Sequence, residues 1–532
     1  MTIVSSPRLT PTEAAPSSEP DSSPRMRPQH WSATVAKLAG ASAVVFGLVA
    51  RFWASSPLWL DEAISVDIAS LPISQIGPAL VQDGHPPLYY VLLHGWMTVF
   101  GTGDLAVRSL SGLFSVAALP LIAAAGRRIG GRWVALAAVV LLASSPYAIR
   151  YATEARMYSL LTLLVLAGYL AVLRALERPS AGRLVLVGTL SAAVLFTHYW
   201  GAWSVAAGVG LVVGLAWARP AKRRAAGLVA GMLVAGGLPF LAWLPSAAQQ
   251  AAHTGTPWAR SVEPFDATFD LLLDLGGGKW AGGRVLGPLL AVLVLVALLA
   301  RPVDRWRLDV DLRTVAGVRP EVGVAAITLL LGLGAAVATS SAFQPRYAAG
   351  AVPFVLLAAA LGVIRLPNRL VRGLVLALVV MVGMAGAVRD ATGRRTQADQ
   401  VATQLQTTGE AGDVVGFCPD QLRPAVQRAW ENARPLKAFT FPGGSPPGRI
   451  NWVDYPERIR KGDPEAFAAR LLAQAGPTHS VWFVSSVGYR GFGNDCEAIQ
   501  GALERARGVV DPAVDRDDSS YERDVLRRFP PP

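Results

Sequence analysis

Charged residues are scarce in this sequence. Only 16% of its 532 residues are Asp, Glu, Lys or Arg, whereas 52% are hydrophobic. A soluble chain of this length carries more charge, and its apolar residues are interrupted every few positions. Here the apolar residues form runs of the length that crosses a bilayer, about 17–25 residues. The composition therefore argues against an ordinary soluble enzyme and predicts a membrane protein with many spans.

Cysteine is scarce as well, and residues 1–30 do not resemble a secretion signal. The two cysteines, Cys418 and Cys496, do not fit a zinc pattern, which needs four ligands at close spacing. Residues 1–30 are rich in Pro, Ser and Thr and have no apolar segment of the kind found in signal peptides. We predict a disordered cytoplasmic tail over residues 1–35.

The positive charge of the chain does not indicate a nucleic-acid partner. The formal net charge is +12, which in a soluble protein favours nucleic-acid binding. In this sequence the basic residues lie between the apolar runs and not along one face. We therefore expect membrane lipids as partners and no nucleic acid.

Eleven apolar runs are candidate transmembrane helices within a membrane domain over residues 36–390. They cover residues 36–53, 105–125, 133–148, 157–173, 183–199, 202–217, 225–244, 284–300, 321–339, 347–364 and 370–388. Every second connection is basic, as in the Arg127–Arg132, Arg174–Arg183 and Arg219–Arg224 segments. By the positive-inside rule, this alternation places the N-terminus in the cytoplasm and the C-terminus outside.

The alternation requires residues 54–104 to form one outer loop. The apolar segment Tyr89–Phe100 then lies in the interface as a juxtamembrane helix. In the alternative topology this segment crosses, and the Arg127–Arg132 segment lies outside.

Residues 391–532 have the composition of a small soluble α/β domain, which the topology places outside. Strands are predicted at Asp413–Cys418 and Ser480–Ser486, and amphipathic helices at Gln397–Thr407, Gln421–Asn432 and Pro464–Gln474. Phe529–Pro532 are expected to be frayed. In an oxidising compartment Cys418 and Cys496 are able to pair.

Two groups of polar residues stand out on the long outer loop. Asp61 and Glu62 are adjacent carboxylates that could act as a general base, or could simply favour a helix N-terminus. His85, before the Pro86–Pro87 pair, is able to bind a metal or a phosphate oxygen, or to form the tip of a structural turn.

Further ionisable residues lie on other outer connections. Arg150 and Arg156 flank Glu154 near the membrane, where charged groups are costly and indicate function. The two arginines could clamp a phosphate, which suits planar guanidinium groups, or could form an Arg–Glu surface pair.

Three more candidates are scattered along the chain. His198 ends an apolar run, either as a ligand or as an interfacial anchor. Lys279 lies in a glycine-rich loop that lacks P-loop spacing but could contact phosphate. Arg346, followed by Tyr347, could pair with a lipid phosphate or with headgroups.

Five motifs, taken in order, resemble those of GT-C glycosyltransferases. They are LDE (Leu60–Glu62), HPPLYY (His85–Tyr90), GRRIGGR (Gly126–Arg132), YATEARMYSL (Tyr151–Leu160) and THYWG (Thr197–Gly201). The resemblance is to the protein O-mannosyltransferase-like branch, family 39, which includes the aminoarabinose transferases. It covers about residues 36–390 and is strongest over residues 55–200.

The resemblance implies a polytopic α-helical membrane protein of GT-C type, with about eleven spans and the α/β domain appended. It implies an inverting transferase that uses a polyprenyl-phosphate sugar, with Asp61 as general base. Glu154 would support a metal or orient the acceptor. The full candidate set is catalytic Asp61, Glu62 and Glu154; phosphate-binding Arg150, Arg156, Lys279, Arg346 and Tyr347; substrate-binding His85, Tyr89 and Tyr158; and His85 and His198 as ligands of a divalent metal ion.

The expected partners are the sugar lipid and a glycan, glycolipid or protein acceptor, at the plasma membrane of a bacterium. Two other functions remain open. A lipid or sugar transporter would place charges in the middle of its spans, whereas here charges gather at the outer edge. A catalytically inactive cell-envelope scaffold would have no need of Asp61, Glu154 and Arg156 together.

Overall fold

The apolar runs form helices in a computed structural model that describes residues 30–254, 262–313, 317–430, 435–443, 449–486, 489 and 491–532. The predicted tail lies mostly outside these residues. Residues 42–532 form one compact unit that contains both the membrane helices and the C-terminal domain.

The first half of the membrane domain includes the helices of the predicted outer loop. Its helices are α1 (His30–Ala50), α2 (Leu60–Ala69), α3 (Ile73–Asp83), α4 (Leu88–Phe100), α5 (Asp104–Ala143), α6 (Pro146–Ala152), α7 (Tyr158–Glu177), α8 (Ala181–Thr197), α9 (Gly201–Ala218), α10 (Arg223–Ala235) and α11 (Leu244–His253). Those of the outer loop are α2 to α4. The short helix α6 begins where the Ser145 hydroxyl accepts the Ala148 N–H, with Pro146 at its first position.

The second half of the membrane domain continues with longer helices. They are α12 (Pro264–Leu275), α13 (Ala281–Leu299), α14 (Arg319–Ala338), α15 (Val352–Arg365) and α16 (Arg369–Thr392). A 3₁₀ helix, Pro345–Gly350, precedes α15 and carries Arg346. Strands β1 (Ala300–Pro302) and β2 (Leu308–Val310) form a small antiparallel pair after α13.

All eleven predicted spans lie on helices, which confirms the polytopic helical fold. Among the described residues, seven helices are long and apolar enough to cross a membrane, and Leu38–Ala50, Leu88–Phe100, Ala181–Thr197 and Val352–Arg365 are shorter apolar helices. The second and third predicted spans are two arms of α5, whose 40 residues are interrupted by non-helical backbone at Gly130 and Gly131.

Helix α4 contains the segment predicted to lie at the interface. Its 13 residues span about 20 Å at 1.5 Å per residue, less than the ~30 Å hydrocarbon core. It packs against α2, α5 and α8. Its length agrees with an interfacial helix, and its depth in the bilayer stays a prediction.

The C-terminal domain is built on a five-stranded sheet. Its strands are β3 (Val414–Cys418), β4 (Lys437–Thr440), β5 (Val481–Ser485), β6 (Pro512–Val514) and β7 (Val525–Phe529), in the order β4-β3-β5-β7-β6. Strands β3, β4 and β5 are parallel, and β7 is antiparallel to both of its neighbours. The flanking helices are α17 (Ala398–Thr408), α18 (Arg423–Ala429), α19 (Tyr455–Lys461), α20 (Pro464–Ala475) and α21 (Asp495–Arg507).

Both predicted strands and all three predicted helices of this domain are present, with shifted ends. The expected frayed terminus is wrong for Phe529. This residue is fully buried in β7 and pairs with Val481 of the central strand. Cys418, at the end of β3, forms a disulfide with Cys496 of α21.

Candidate active site

The adjacent carboxylates Asp61 and Glu62 have different surroundings. Glu62 is fully buried. Its two oxygens accept from Arg108 Nε at 2.7 Å and NH2 at 2.6 Å, and the Ala155 N–H donates to Oε1 at 2.9 Å. Burial raises the pKa of Glu62, but the Arg108 and Arg395 guanidinium groups outweigh burial and leave the pKa below its ordinary value. Glu62 therefore acts as a buried anion that ties α2 to α5.

Asp61 lies in the first turn of α2 and faces a cavity. Its side chain is 21% exposed, and its Oδ2 lies 3.4 Å from Arg346 NH1 and 4.0 Å from Arg156 NH2. The cavity has a volume of about 150 Å³. It is lined by Asp61, Ile64, Asp83, Gly84, His85, Arg156, Tyr158, His198, Tyr199, Trp200, Thr254, Arg346, Tyr347 and Trp452.

Arg156 and Arg346 are the cationic side of this cavity. Arg156 donates to Ser65 Oγ at 3.0 Å and to Tyr90 OH at 3.3 Å. The Nε atoms of Arg156 and Arg346 are buried and have no hydrogen-bond partner among the described residues. One carboxylate, Asp61, is thus approached by two guanidinium groups that keep unused donors.

His85 orients Arg156. Because arginine only donates, His85 Nε2 must accept from Arg156 NH2, at 3.0 Å. The ring proton is then on Nδ1, which donates to Asp83 Oδ2 at 2.8 Å. Asp83 also accepts from the Tyr90 hydroxyl at 3.0 Å. Both nitrogens of His85 are therefore engaged by protein groups.

His198 has one unused ring nitrogen. Its Nδ1 accepts the Trp200 N–H at 3.1 Å, whereas its buried Nε2 has no partner in the described part of the chain. Because Nδ1 accepts this N–H, it carries no proton, and the ring is neutral. A neutral ring that accepts at Nδ1 carries its proton on Nε2. His198, which lines the cavity, thus holds an uncharged N–H donor that no described residue uses.

The predicted metal ligands do not form a complete metal site. The His85 and His198 rings lie 6.2 Å apart. Within the described ranges, no group of three His, Cys, Asp or Glu side chains could hold a metal ion. With both nitrogens of His85 already bonded, these residues do not fit a metal site.

A second polar cluster contains the other predicted Arg–Glu pair. Arg150 Nε donates to Glu154 Oε1 at 2.8 Å, and Arg150 NH1 lies 3.9 Å from Asp390. The Tyr151 hydroxyl donates to Asp274 Oδ2 at 3.1 Å, and burial raises the pKa of Asp274 to about 6. This cluster joins α6, α12 and α16, and its members do not line the Asp61 cavity.

The structure brings together part of the predicted set. The residues that share the cavity are Asp61, His85, Arg156, Tyr158, His198, Arg346 and Tyr347. Those that do not line it are Glu62, Tyr89, Arg150, Glu154 and Lys279. Tyr89 is buried, with its hydroxyl 3.0 Å from Ser111 Oγ. Lys279 is 69% exposed and pairs with Asp270 at 2.8 Å.

Sequence analysis missed Trp452 of the C-terminal domain. Its backbone N–H donates to the Gln82 carbonyl at 2.9 Å, which places the side chain over the cavity. Asp83 and Trp200 also line the cavity. Trp200 lies within THYWG, and Asp83 lies two residues before HPPLYY. For Trp452 the sequence carries no comparable signal, because the cavity residues that it joins are far away in the sequence.

Comparison with known proteins confirms the predicted resemblance to GT-C glycosyltransferases. Residues 84–243, less than a third of the chain, match the family model described as dolichyl-phosphate-mannose-protein mannosyltransferase. No curated protein matches the chain.

Two solved structures share the fold over nearly the whole chain. ArnT from Cupriavidus metallidurans bound to undecaprenyl phosphate has a TM-score of 0.57 at 14% identity, covering 94% of this chain and 98% of that one. Its apo state gives 0.56 at 14% identity, with 93% and 98% covered. An Archaeoglobus fulgidus oligosaccharyltransferase in complex with Zn and sulfate gives 0.49 at 13% identity, covering 84% and 67%.

Proposed function

We propose that this chain is a membrane glycosyltransferase that moves a sugar from a polyprenyl-phosphate lipid to an acceptor hydroxyl, with inversion and with Asp61 as general base. The observation that carries the proposal is the cavity in which Asp61 faces Arg156 and Arg346. The match to the mannosyltransferase family model and the fold shared with ArnT support the reaction class and the lipid donor.

The arginines form the phosphate side of the proposed reaction. When the bond between sugar and phosphate breaks, negative charge develops on the lipid phosphate. Guanidinium N–H groups bind phosphate well, and buried donors that are already oriented stabilise such charge most in the transition state. The unpaired Nε atoms of Arg156 and Arg346 and the Nε2–H of neutral His198 are suited to this role.

Asp61 forms the acceptor side. Inversion needs a base on the face of the anomeric carbon opposite to the leaving phosphate. Asp61 is part-exposed, whereas Glu62 is locked to Arg108, so Asp61 is the carboxylate that an acceptor hydroxyl can reach. A donor phosphate at the arginines would also draw them away from Asp61 and leave its oxygens able to take the proton.

The proposal includes a location. We place the cavity at the outer face of a bacterial plasma membrane, with the N-terminus in the cytoplasm, on the basis of the basic connections. No step of the reaction is assigned to a metal ion. The acceptor is a glycan, a glycolipid or a protein, and the sugar is a hexose or a pentose.

The proposal is tested by transfer of radiolabelled sugar from polyprenyl-phosphate donors in membranes that carry wild type or Asp61→Asn. Loss of a general base costs ~10²–10⁴-fold in rate, so transfer should fall by at least two orders of magnitude at equal expression. Asp270→Asn is the matched control, because this carboxylate pairs with exposed Lys279 outside the cavity. Equal transfer by Asp61→Asn and wild type would remove Asp61 as base.

A second measurement separates the enzyme from a scaffold. Purified wild type should bind polyprenyl phosphate, and Arg156→Gln and Arg346→Gln should weaken that binding about tenfold or more, as expected for charged hydrogen bonds. Lys279→Gln should leave it unchanged. Wild type that neither binds polyprenyl phosphate nor transfers sugar from any donor would contradict the proposal and favour the scaffold.

A further inference from the structure

The connection between β6 and β7 reaches back from the C-terminal domain to the helix that carries Asp61. Glu522 Oε1 accepts the Leu60 backbone N–H at 2.9 Å, across 462 residues of sequence. Leu60 is the first residue of α2, and Asp61 is the second. The end of the chain therefore contacts the first turn of the proposed catalytic helix.

This contact replaces an ordinary helix cap. The first N–H groups of a helix have no partner within the helix and are usually satisfied by a side chain just before it. Trp59 precedes α2 and gives no such cap. Glu522 supplies the missing acceptor at this end of the helix.

A second contact joins the same connection to the arginine side of the cavity. The Tyr521 ring packs edge-to-face on Trp59, with centroids 5.3 Å apart and planes at 87°. The Arg346 guanidinium lies 5.9 Å from the Trp59 ring. Trp59 is thus contacted by Tyr521 and by the arginine nearest to Asp61.

The connection is itself held firmly in place. The Glu522 N–H donates to the Arg395 carbonyl at 2.8 Å. Arg395 in turn donates to the Thr153 carbonyl at 2.7 Å and to Thr153 Oγ1 at 2.6 Å. Gln397 Oε1 accepts the N–H groups of Asp517 at 2.9 Å and Asp524 at 3.2 Å. These bonds fix Glu522 relative to the membrane helices.

We propose that Glu522 is a positioning residue for Asp61: by accepting the Leu60 N–H it fixes the first turn of α2, and with it the distance from the Asp61 carboxylate to Arg346. This inference rests on the proposed function. It assigns the C-terminal domain a part in the reaction beyond covering the cavity. The feature that matters is an oxygen acceptor at this position, not a negative charge. Burial raises the pKa of Glu522 well above its ordinary value, which agrees with a role that needs no charge.

Two variants of equal length separate this role from simple packing. Glu522→Gln keeps an oxygen that can accept the Leu60 N–H, whereas Glu522→Met keeps the length and removes the acceptor. Because small misplacements of a reacting group cost up to ~10²-fold in rate, we expect Glu522→Met to lower kcat by ~10–100-fold. The KM for the lipid donor should stay within about twofold, since the arginines are untouched. Glu522→Gln should retain kcat within about threefold.

Glu410→Met is the matched control. Glu410 belongs to the same domain and pairs with Arg528 at 3.4 Å on the surface, with 69% of its side chain exposed. It should keep wild-type kcat. All variants are compared at equal folded amount, judged by thermal unfolding and by the absence of reactive thiols.

Each outcome decides the inference. The inference is supported by a low kcat in Glu522→Met, a kcat near wild type in Glu522→Gln, and an unchanged KM for the lipid donor. Wild-type kcat in Glu522→Met would overturn it, because the residue would then be dispensable. Equal losses of kcat in Glu522→Met and Glu522→Gln would overturn it, because the charge would then be what matters. Failure of Glu522→Met to fold would overturn it too, because the residue would then be structural. Loss of the proposed function is recognised separately, since Asp61→Asn would then behave as wild type in the same assay.

Discussion

Neighbouring residues of the same chemical type have opposite roles in the first turn of α2. The Asp61 carboxylate faces the cavity, whereas the Glu62 carboxylate is the fully buried counterion of Arg108. Helical geometry explains this difference, because successive side chains point about 100° apart around the axis, as 3.6 residues per turn require. The dipeptide alone could not show which of the two points inward.

The buried pair predicts a stability defect that is specific to Glu62. Removing one member of a buried ion pair leaves an uncompensated charge and costs about 3–5 kcal/mol. We therefore expect Glu62→Ala to lower the folded yield and the melting temperature sharply. Asp270→Asn should unfold at the wild-type temperature, which makes it the control, because this carboxylate pairs with exposed Lys279. A Glu62→Ala protein as stable as wild type would contradict the buried-anion role.

Asp524 predicts a pH dependence of the C-terminal domain. Its side chain is buried in this domain, and burial raises its pKa to about 7, compared with ~3.9 for a free aspartate. The folded state therefore keeps a proton that the unfolded state has lost. The stability that protonated Asp524 gives the folded state is complete below about pH 4 and is lost as the pH rises through about 7.

Thermal unfolding from pH 5 to pH 8 checks this prediction. The melting temperature of wild type should fall over this range, and that of Asp524→Asn should fall less, because the amide cannot ionise. Asp518→Asn is the control, since 77% of the Asp518 side chain is exposed. Parallel curves for wild type and Asp524→Asn would show that another group sets the dependence.

At the scale of elements, the corner inside α5 explains one of the sequence motifs. GRRIGGR turns the chain between two apolar arms, and Gly131 has φ 75° and ψ −163°, a conformation open to glycine only. A Cβ on Gly126 would lie 2.9 Å from Ala135 Cα, so the arms also approach closely there.

Gly131→Val should therefore destabilise the protein by about 1–3 kcal/mol, the cost of one strained residue. The measurement is the melting temperature and the folded yield in membranes. Gly182→Val is the control, because Gly182 lies in α8 without a positive φ and with open space around its Cβ position. Equal losses in both variants would mean that the corner is not the cause.

The elements that the sequence predicted are those with a local signal. Long apolar runs give the membrane helices, and the buried apolar runs of β3 and β5 give the central strands. Strand β7 was missed because Arg527 and Arg528 make it look like a charged tail. In the fold, the Arg528 guanidinium lies 5.2 Å from the Trp482 ring on the neighbouring strand. This contact between Arg528 and Trp482 depends on strand pairing, which no local sequence pattern shows.

In the candidate site, too, the sequence predicts the residues that have a local signal and misses those that depend on distant contacts. Asp61 and His85 lie on the long outer loop, and Arg156, His198 and Arg346 lie at or beside the ends of apolar runs; such placement is visible in a sequence. The partners that orient them come from far away: Arg108 for Glu62, and Glu522 for the α2 N-terminus. Lys279 has the same local signal as the cavity residues, yet it lies on the surface, since a loop position does not fix where a long side chain points.

At the scale of the whole molecule, five residues of the C-terminal domain bond to connections that the basic-residue pattern places outside. Trp452 bonds to Gln82, Arg428 to Thr102 and Asp104, Asp454 to His253, Arg395 to Thr153, and Glu522 to Leu60. These contacts require the domain, the cavity and the three connections to share one side of the membrane. An eleven-span topology satisfies this requirement, because an odd number of spans separates a cytoplasmic N-terminus from the C-terminal domain.

Reporter insertions test this arrangement. Alkaline phosphatase, which is active only outside the cytoplasm, should be active when inserted after Thr102 or fused after Pro532. It should be inactive after Ser180, in the basic connection between α7 and α8. The contact of Arg428 with Thr102 demands that the first two positions agree whatever the orientation. If Thr102 and Pro532 report opposite sides, the domain docks differently, because ten predicted spans separate the two positions whether or not α4 crosses. If both are inactive and Ser180 is active, either α4 crosses the bilayer or the whole orientation is reversed, and the outer-face location of the cavity would be contradicted.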